Sequence, residues 1–414
     1  MKNKTLPTLW NNKPFLRIFS SYTVSMFGRW FDMVAIMILF SFVWQLDPLY
    51  VALIPVAYAL PHALLSQFVG QFVDRFNNIT LMAYADICTA ILTIFLIFAP
   101  NHLVALPLIL MRAAVTVIHF PAQQSLIKHI VQEQHIVKAV TWNGTVNELS
   151  KVLGPFIGGI LAGYFSPGLC IFIGACAYFF SALIIIQLRK RSEFQKPDAA
   201  SHPHSNVSFW KSWKDGWVAV LRNYKLKWFF GISLVGLMAI QMMDVQVTVL
   251  LRSVAPDRPE LIGWVMSGSG FGALSAIIII NQMNTVRFYG VLLGISYVLL
   301  GAGFIGFGWL YLGVPTYIPV LFGIIAGGGI GLFTIAISVT IQRETSKENI
   351  GRISGIYNSI SNTVVVTAPL IGGLIVSVWS ANVIYLNIGM FLLIGGFFAM
   401  LFLIKIEKQD TISN

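Results

Sequence analysis

Charged side chains are scarce in this chain: Asp, Glu, Lys and Arg make up 10% of its 414 residues, against about 25% in soluble globular proteins. That shortage excludes a water-soluble fold. Cysteine is scarcer still. Cys88, Cys170 and Cys176 lie in apolar segments without the close spacing of zinc or iron–sulfur ligands, so they read as packing residues and no metal site is expected. No G-x-x-x-x-G-K-(S/T) run is present to cradle a nucleotide phosphate, which excludes an ATP-driven pump. His62, His119, His129 and His135 are scattered, with no H-E-x-x-H and no carboxylate cluster, so neither an enzymatic centre nor a cofactor is expected.

What is abundant is apolar surface: 57% of residues are hydrophobic and the mean hydropathy is +0.77. At about 20 apolar residues per crossing, twelve helices would use about 240 positions. Spans are predicted near 16–44, 49–70, 79–98, 103–127, 144–165, 168–188, 229–251, 261–280, 288–314, 316–341, 353–379 and 383–404. The first apolar run is longer than a signal-peptide core and has no small-residue cleavage pattern, so it counts as span 1. The expected fold is an all-α polytopic membrane protein with twelve transmembrane helices in two six-helix pseudo-symmetric bundles.

The net charge of +11 does not point to nucleic acid, because the basic residues sort by side of the membrane. Between the predicted spans, 22 of the 27 Lys and Arg fall on the side that holds both termini. Only Arg252 and Arg258 fall opposite. The positive-inside rule then makes both termini and the central loop cytoplasmic, and a bacterial inner membrane is the expected location. The polar stretch from Arg189 to Lys227 divides the chain into an N-terminal bundle (1–188), a cytoplasmic linker (189–227) and a C-terminal bundle (228–414). Within the linker, Trp210, Trp213, Trp217, Val220 and Leu221 share one helical face, as in an amphipathic helix lying on the lipid surface.

Asp32, Asp86, Glu148, Asp244, Arg29, Arg112 and Lys151 lie inside predicted spans, where each costs a few kcal/mol unless it faces protein or water. Arg112, Thr116, His119 and Gln123 recur on one face of span 4. Gln241, Asp244 and Thr248 do so in span 7, and Ser25, Arg29 and Asp32 in span 1. Three polar faces imply a wet central cavity. Arg29 with Asp32, and Glu148 with Lys151, are also spaced to neutralise each other along one helix. Arg112 has two readings, an internal partner of Asp32 or a contact for an anionic substrate. Trp30, Trp44, Phe120, Trp264 and Met266 are candidate apolar contacts, although packing explains each equally simply.

The halves are related. KAVTWNGTVNELSKVLGPFIGGILAG from Lys138 and RISGIYNSISNTVVVTAPLIGGLIVS from Arg352 place Pro155, Gly158 and Gly159 in register with Pro369, Gly372 and Gly373, and Asp32 and Asp244 are similarly spaced. Duplicated halves of this kind characterise secondary transporters, with the substrate held near midplane. The run Gly70-Gln71-Phe72-Val73-Asp74-Arg75-Phe76-Asn77-Asn78 resembles the cytoplasmic loop motif of the major facilitator superfamily, with Asn78 where a base is usual. Together with Phe120-Pro121-Ala122-Gln123-Gln124, the Gly154–Gly159 run, Asp215-Gly216 and Gly351-Arg352, the pattern resembles the macrolide-efflux and enterobactin-export branch.

The resemblance implies that spans 1, 4, 7 and 10 line the cavity. It makes Asp32, Asp244 and Glu148 proton-coupling candidates, and Arg29, Arg112, Thr116, His119, Gln123, Gln241 and Thr248 substrate-cavity candidates. Gly70, Asp74 and Arg75 would form a conformational switch, with Asp86 as a latch partner near the cytoplasmic end of span 3. Gly154, Pro155, Gly158 and Gly159, with their copies Pro369, Gly372 and Gly373, would be an antiport-associated hinge or a tight helix interface. The function implied is proton-coupled efflux of an amphipathic small molecule, such as a macrolide-type drug or a siderophore, by a monomer in the lipid bilayer. Uptake of a siderophore or other metabolite, and a non-transporting receptor, are the alternatives.

Overall fold

The computed structural model describes residues 9–188, 217–218, 220–282, 289–345 and 350–413, with backbone alone at 67, 70–72, 74, 351–352 and 406–413. The central linker through residue 216, including Trp210 and Trp213, lies outside the described residues, as do the side chains of Asp74 and Arg352. Among the described residues all regular structure is helical: α1 (Lys13–Ile38), α2 (Pro48–Arg75), α3 (Asn78–Ile97), α4 (His102–Thr116), α5 (His119–Ile130), α6 (Glu133–Tyr164), α7 (Pro167–Ile186), α8 (Tyr224–Asp244), α9 (Gln246–Val254), α10 (Leu261–Gln282), α11 (Tyr289–Gly308), α12 (Tyr317–Glu344), α13 (Ile350–Val378) and α14 (Ala381–Ser413). Several starts are written locally. The side chains of Asn12, Asn77, Asn101, Ser166 and Asn223 each accept from a backbone N–H three residues on, 3.0–3.2 Å away, which satisfies a donor the helix leaves open.

Eleven helical segments among the described residues are long and apolar enough to cross a membrane. The twelfth expected span, 144–165, lies in α6, which at 32 residues is long enough but carries Glu133, Lys138, Glu148 and Lys151 and is not among the eleven. Two expected spans are interrupted. Span 4 breaks into α4 and α5 at Val117–Ile118, because Thr116, Val117 and Ile118 are successively β-branched and Pro121 has no N–H to return to the Val117 carbonyl. Pro121 fits instead in the first turn of α5, where no such bond is needed. Span 7 turns at Val245, between α8 and α9. Span 1 ends in a π turn, Leu39–Val43, and α11, the ninth expected span, stops at Gly308, short of the expected residue 314.

The chain divides into two compact units, Met1–Trp44 with Ala57–His202 and Gln45–Val56 with Pro203–Asn414. The division is not the linear one expected, because the first turns of α2 belong with the second unit. Arg252 Nη1 donates to the Leu46 carbonyl at 3.0 Å and Gln246 Nε2 to the Pro48 carbonyl at 3.2 Å. A Cβ on Gly373 would stand 2.8 Å from Ala52 Cβ. Unit 1 has a core of Phe15, Ile18, Ile79, Met82, Leu126 and Ile185. In unit 2, Leu226, Phe230, Ile341, Ile353 and Tyr357 form a cluster that also takes in Val220, expected on the lipid-facing side of the amphipathic helix.

Candidate functional site

Unit 1 carries a buried charge pair. Asp32 in α1 is fully buried and Arg112 in α4 is 2% exposed. The guanidinium forks onto the carboxylate, Nη1 to Oδ2 at 2.5 Å and Nη2 to Oδ1 at 3.3 Å. Nη1 also donates to Thr93 Oγ1 at 3.2 Å, and Nη2 to the Tyr58 hydroxyl, whose ring centroid lies 5.3 Å from Arg112 Cζ. Close helix approach positions the acid. A Cβ on Gly174 in α7 would be 3.1 Å from Asp32 Cβ, and one on Gly28 in α1 would be 2.7 Å from Ala177 Cβ, so only glycine lets the helices meet here. Behind α1, Gly154 and Gly158 of α6 face Trp30 and Phe31 at similarly short range. The duplicated run packs alike in unit 2, where Gly372 of α13 presses on the Met242 carbonyl of α8.

A cavity of about 340 Å³ with several polar lining residues lies in unit 1 among α1 to α7. Arg29 lines it, is exposed, and has no hydrogen bond or ion pair among the described residues. The expected Arg29–Asp32 neutralisation does not form, since Asp32 is engaged by Arg112. Asp86, expected as a latch partner of the loop motif, is buried in the cavity wall. Its Oδ2 accepts from Ser181 Oγ at 2.6 Å, Ser181 shares a 2.7 Å hydroxyl contact with Ser21, and His119 Nε2 stands 3.3 Å from Asp86 Oδ1. That last contact is within ion-pair distance but outside hydrogen-bonding geometry. Thr116, His119 and Gln123 also line the cavity, whereas Arg112 does not. The span-4 stripe is therefore split by the helix break, its first member facing Asp32 and the other three the cavity.

Unit 2 is more apolar. Asp244, the last residue of α8, opens onto a cavity of about 110 Å³ among Met243, Val265, Met266, Phe304, Phe307 and Tyr385. No described side chain hydrogen-bonds or ion-pairs with its carboxylate; the Tyr385 hydroxyl, in the same cavity wall, donates to the Met243 carbonyl at 2.7 Å. Thr248 is buried in α9 and donates to the Val245 carbonyl, and Gln241 is half-buried in α8 and absent from the cavity lining. Glu148 pairs with Lys151 at 2.7 Å on a half-exposed face of α6, as their spacing allows. Of the aromatic candidates, Phe120 lines the unit 1 cavity, while Trp30 packs on Gly154 and Trp44 on Phe40.

Sequence reasoning did not single out Tyr58, Thr93, Ser181, Ser21 or Asn143. Ser and Thr in apolar helices usually bond their own backbone, as Thr93 also does to the Thr89 carbonyl, so their type alone is not a signal.

Two helical units, each with a cavity and an acid within a predicted span, are the architecture of a polytopic membrane transporter. A sequence profile of the Major Facilitator Superfamily matches residues 18–258 and 256–413, and the chain belongs to that superfamily; it is a transporter rather than an enzyme. An uncharacterized MFS-type transporter of Bacillus subtilis (strain 168), YfiS, is 27% identical over 401 residues, covering 95% of this chain and 94% of its own. A second from the same organism, YkuC, is 24% identical over 357 residues, covering 84% and 82%. The crystal structure of the nucleoside transporter NupG superposes with a TM-score of 0.70 at 14% identity, covering 94% of this chain and 98% of that one. A bacterial homolog of the human lysosomal transporter Spinster, inward-facing and unoccupied, does so at 0.67 and 15%, covering 94% and 96%.

Proposed function

We propose that the protein is a proton-coupled exporter of an amphipathic small molecule, working by alternating access in a bacterial inner membrane with both termini cytoplasmic. The observation that carries this reading is the Asp32–Arg112 fork. An ion pair without solvent contact adds little net stability compared with apolar packing, so its presence inside a membrane helix bundle points to use. Neutralising Asp32 with a proton would dissolve one side of the fork and leave Arg112 to Tyr58 and Thr93. Binding a proton thereby changes which helices α4 is tied to. Asp244, with no hydrogen bond or ion pair among the described residues, is the second acid that can take a proton as its cavity changes access. The resemblance to the macrolide-efflux and siderophore-export branch supports the substrate class and the direction.

The test is transport in proteoliposomes of fixed orientation under an imposed proton gradient, using a macrolide or siderophore first selected by thermal stabilisation of the purified protein. Asp32→Asn and Asp244→Asn are expected to abolish gradient-driven accumulation while retaining exchange. Full active transport by the double variant refutes the coupling scheme, and accumulation in the opposite sense assigns uptake. The Gly70–Asp74–Arg75 segment at the end of α2 is the proposed switch, so Asp74→Asn should redistribute labelling of single cysteines between the two membrane faces. Unchanged labelling in a well-expressed variant would make the segment a simple interfacial anchor.

A further inference from the structure

The unit 1 cavity holds more unmet hydrogen-bonding capacity than its fold requires. Gln123 is 1% exposed with its Nε2 unpartnered, and Asn143 is 6% exposed with both Nδ2 and Oδ1 unpartnered. Buried polar atoms are ordinarily satisfied, and these three line one cavity, so a solute or the water it displaces must complete them. The charge on offer is positive. Arg29 is the one Lys or Arg among the lining residues, and the one lining carboxylate, Asp86, is held by Ser181 and His119. The Arg29 guanidinium, without a hydrogen bond or ion pair among the described residues, matches a carboxylate in paired hydrogen bonds. A polyphosphate would call for several cations. Phe120, with 64% of its surface exposed, and Tyr22 line the same space. The volume of about 340 Å³ is at the small end of ligand pockets, generally about 300–1,000 Å³.

We infer that this cavity recognises a small aromatic hydroxy acid, or the aromatic hydroxy-acid end of a larger substrate. Arg29 takes the carboxylate, and Gln123 and Asn143 read the hydroxyl edge. The inference rests on the reading of the protein as a transporter whose unit 1 cavity receives substrate, and it moves anion recognition from Arg112, which is consumed by Asp32, to Arg29.

The probes are salicylate and 3,4-dihydroxybenzoate, each beside its neutral amide, with laurate as a carboxylate of lipid character. Binding is measured on the full-length purified protein in nanodiscs by thermal stabilisation and by titration of intrinsic fluorescence, without a gradient. The acids should bind at least about tenfold more tightly than their amides, the range expected for a charge-assisted hydrogen bond. Arg29→Gln should erase that preference, Arg29→Lys should restore part of it, and Gln123→Leu or Asn143→Leu should weaken acid and amide alike. Arg29 makes no hydrogen bond or ion pair among the described residues, so its variants should melt close to the unaltered protein when ligand-free. Equal binding of acid and amide, an acid preference that survives Arg29→Gln, no binding of either acid, or laurate outcompeting both would each overturn the inference. Because no gradient is applied, acid binding by a protein that fails to transport refutes the coupling scheme and leaves this assignment standing.

Discussion

Replacing Asp32 with Asn should be among the most disruptive single-atom changes available in unit 1. Asn keeps the volume and one acceptor oxygen but removes the charge from a fork whose partners are 3% and 0% exposed at the side chain. Arg112 is then a cation within the bundle, and its guanidinium cannot shed its proton. Breaking a buried pair in this way costs about 3–5 kcal/mol, and an arginine at the centre of a membrane helix costs about 2.5–3.5 kcal/mol on insertion scales. The Tyr58 and Thr93 contacts persist and offset part of the loss, so the lower bound, about 3 kcal/mol, is expected. Arg112→Met strands the carboxylate instead, but that group can accept a proton, so its cost should shrink as pH falls while that of Asp32→Asn does not. In Asp32→Asn/Arg112→Met neither charge is stranded, and the double variant should recover at least about 2 kcal/mol relative to the sum of the singles. Unfolding of the purified protein in bicelles, followed for all four members of the cycle at two pH values, measures this. Additivity within about 0.5 kcal/mol would show that the pair is not energetically coupled and would refute the argument.

The glycines of α6 should separate sharply by position. Gly154→Val drives a side chain into Trp30 and should cost several kcal/mol of stability, whereas Gly144→Ala, with nothing within 4 Å of its Cβ, should gain up to about 1 kcal/mol of helix propensity. Comparable melting of the two variants would contradict the packing of α6 on α1. Asp244→Asn removes a carboxylate with no ion pair among the described residues, so the protein should melt at the same temperature or higher while gradient-driven transport is lost. A marked fall in melting temperature would reveal a partner for Asp244. Glu148→Gln breaks only a half-exposed pair, worth about 0.2–1 kcal/mol before screening, and should leave transport intact. Abolished transport would return Glu148 to the coupling machinery.

Run length, helix caps and the high cost of charge in hydrocarbon are local quantities, so the sequence alone determined that the chain is a helical membrane protein with duplicated halves. The same cost made it certain that Asp32, Arg112 and Asp244 face protein or water. The α4–α5 break was not anticipated, since span 4 was read as one helix over 103–127, although the β-branched run before Pro121 marks it. No comparable proline or glycine marks the turn at Val245, and that break was not legible. Only the tertiary structure decided what each polar face meets. A period of 3.6 residues says which side chains share a face and nothing about the helix opposite. Arg29 is three residues from Asp32 on the same helix, yet the acid is taken by Arg112, 80 residues away, because Gly28 and Gly174 let α1 and α7 close around it. Asp86 likewise belongs to Ser181 and His119, residues far from it in sequence. Gln45–Val56 joins the second unit through backbone carbonyls, which every residue carries and no sequence pattern distinguishes.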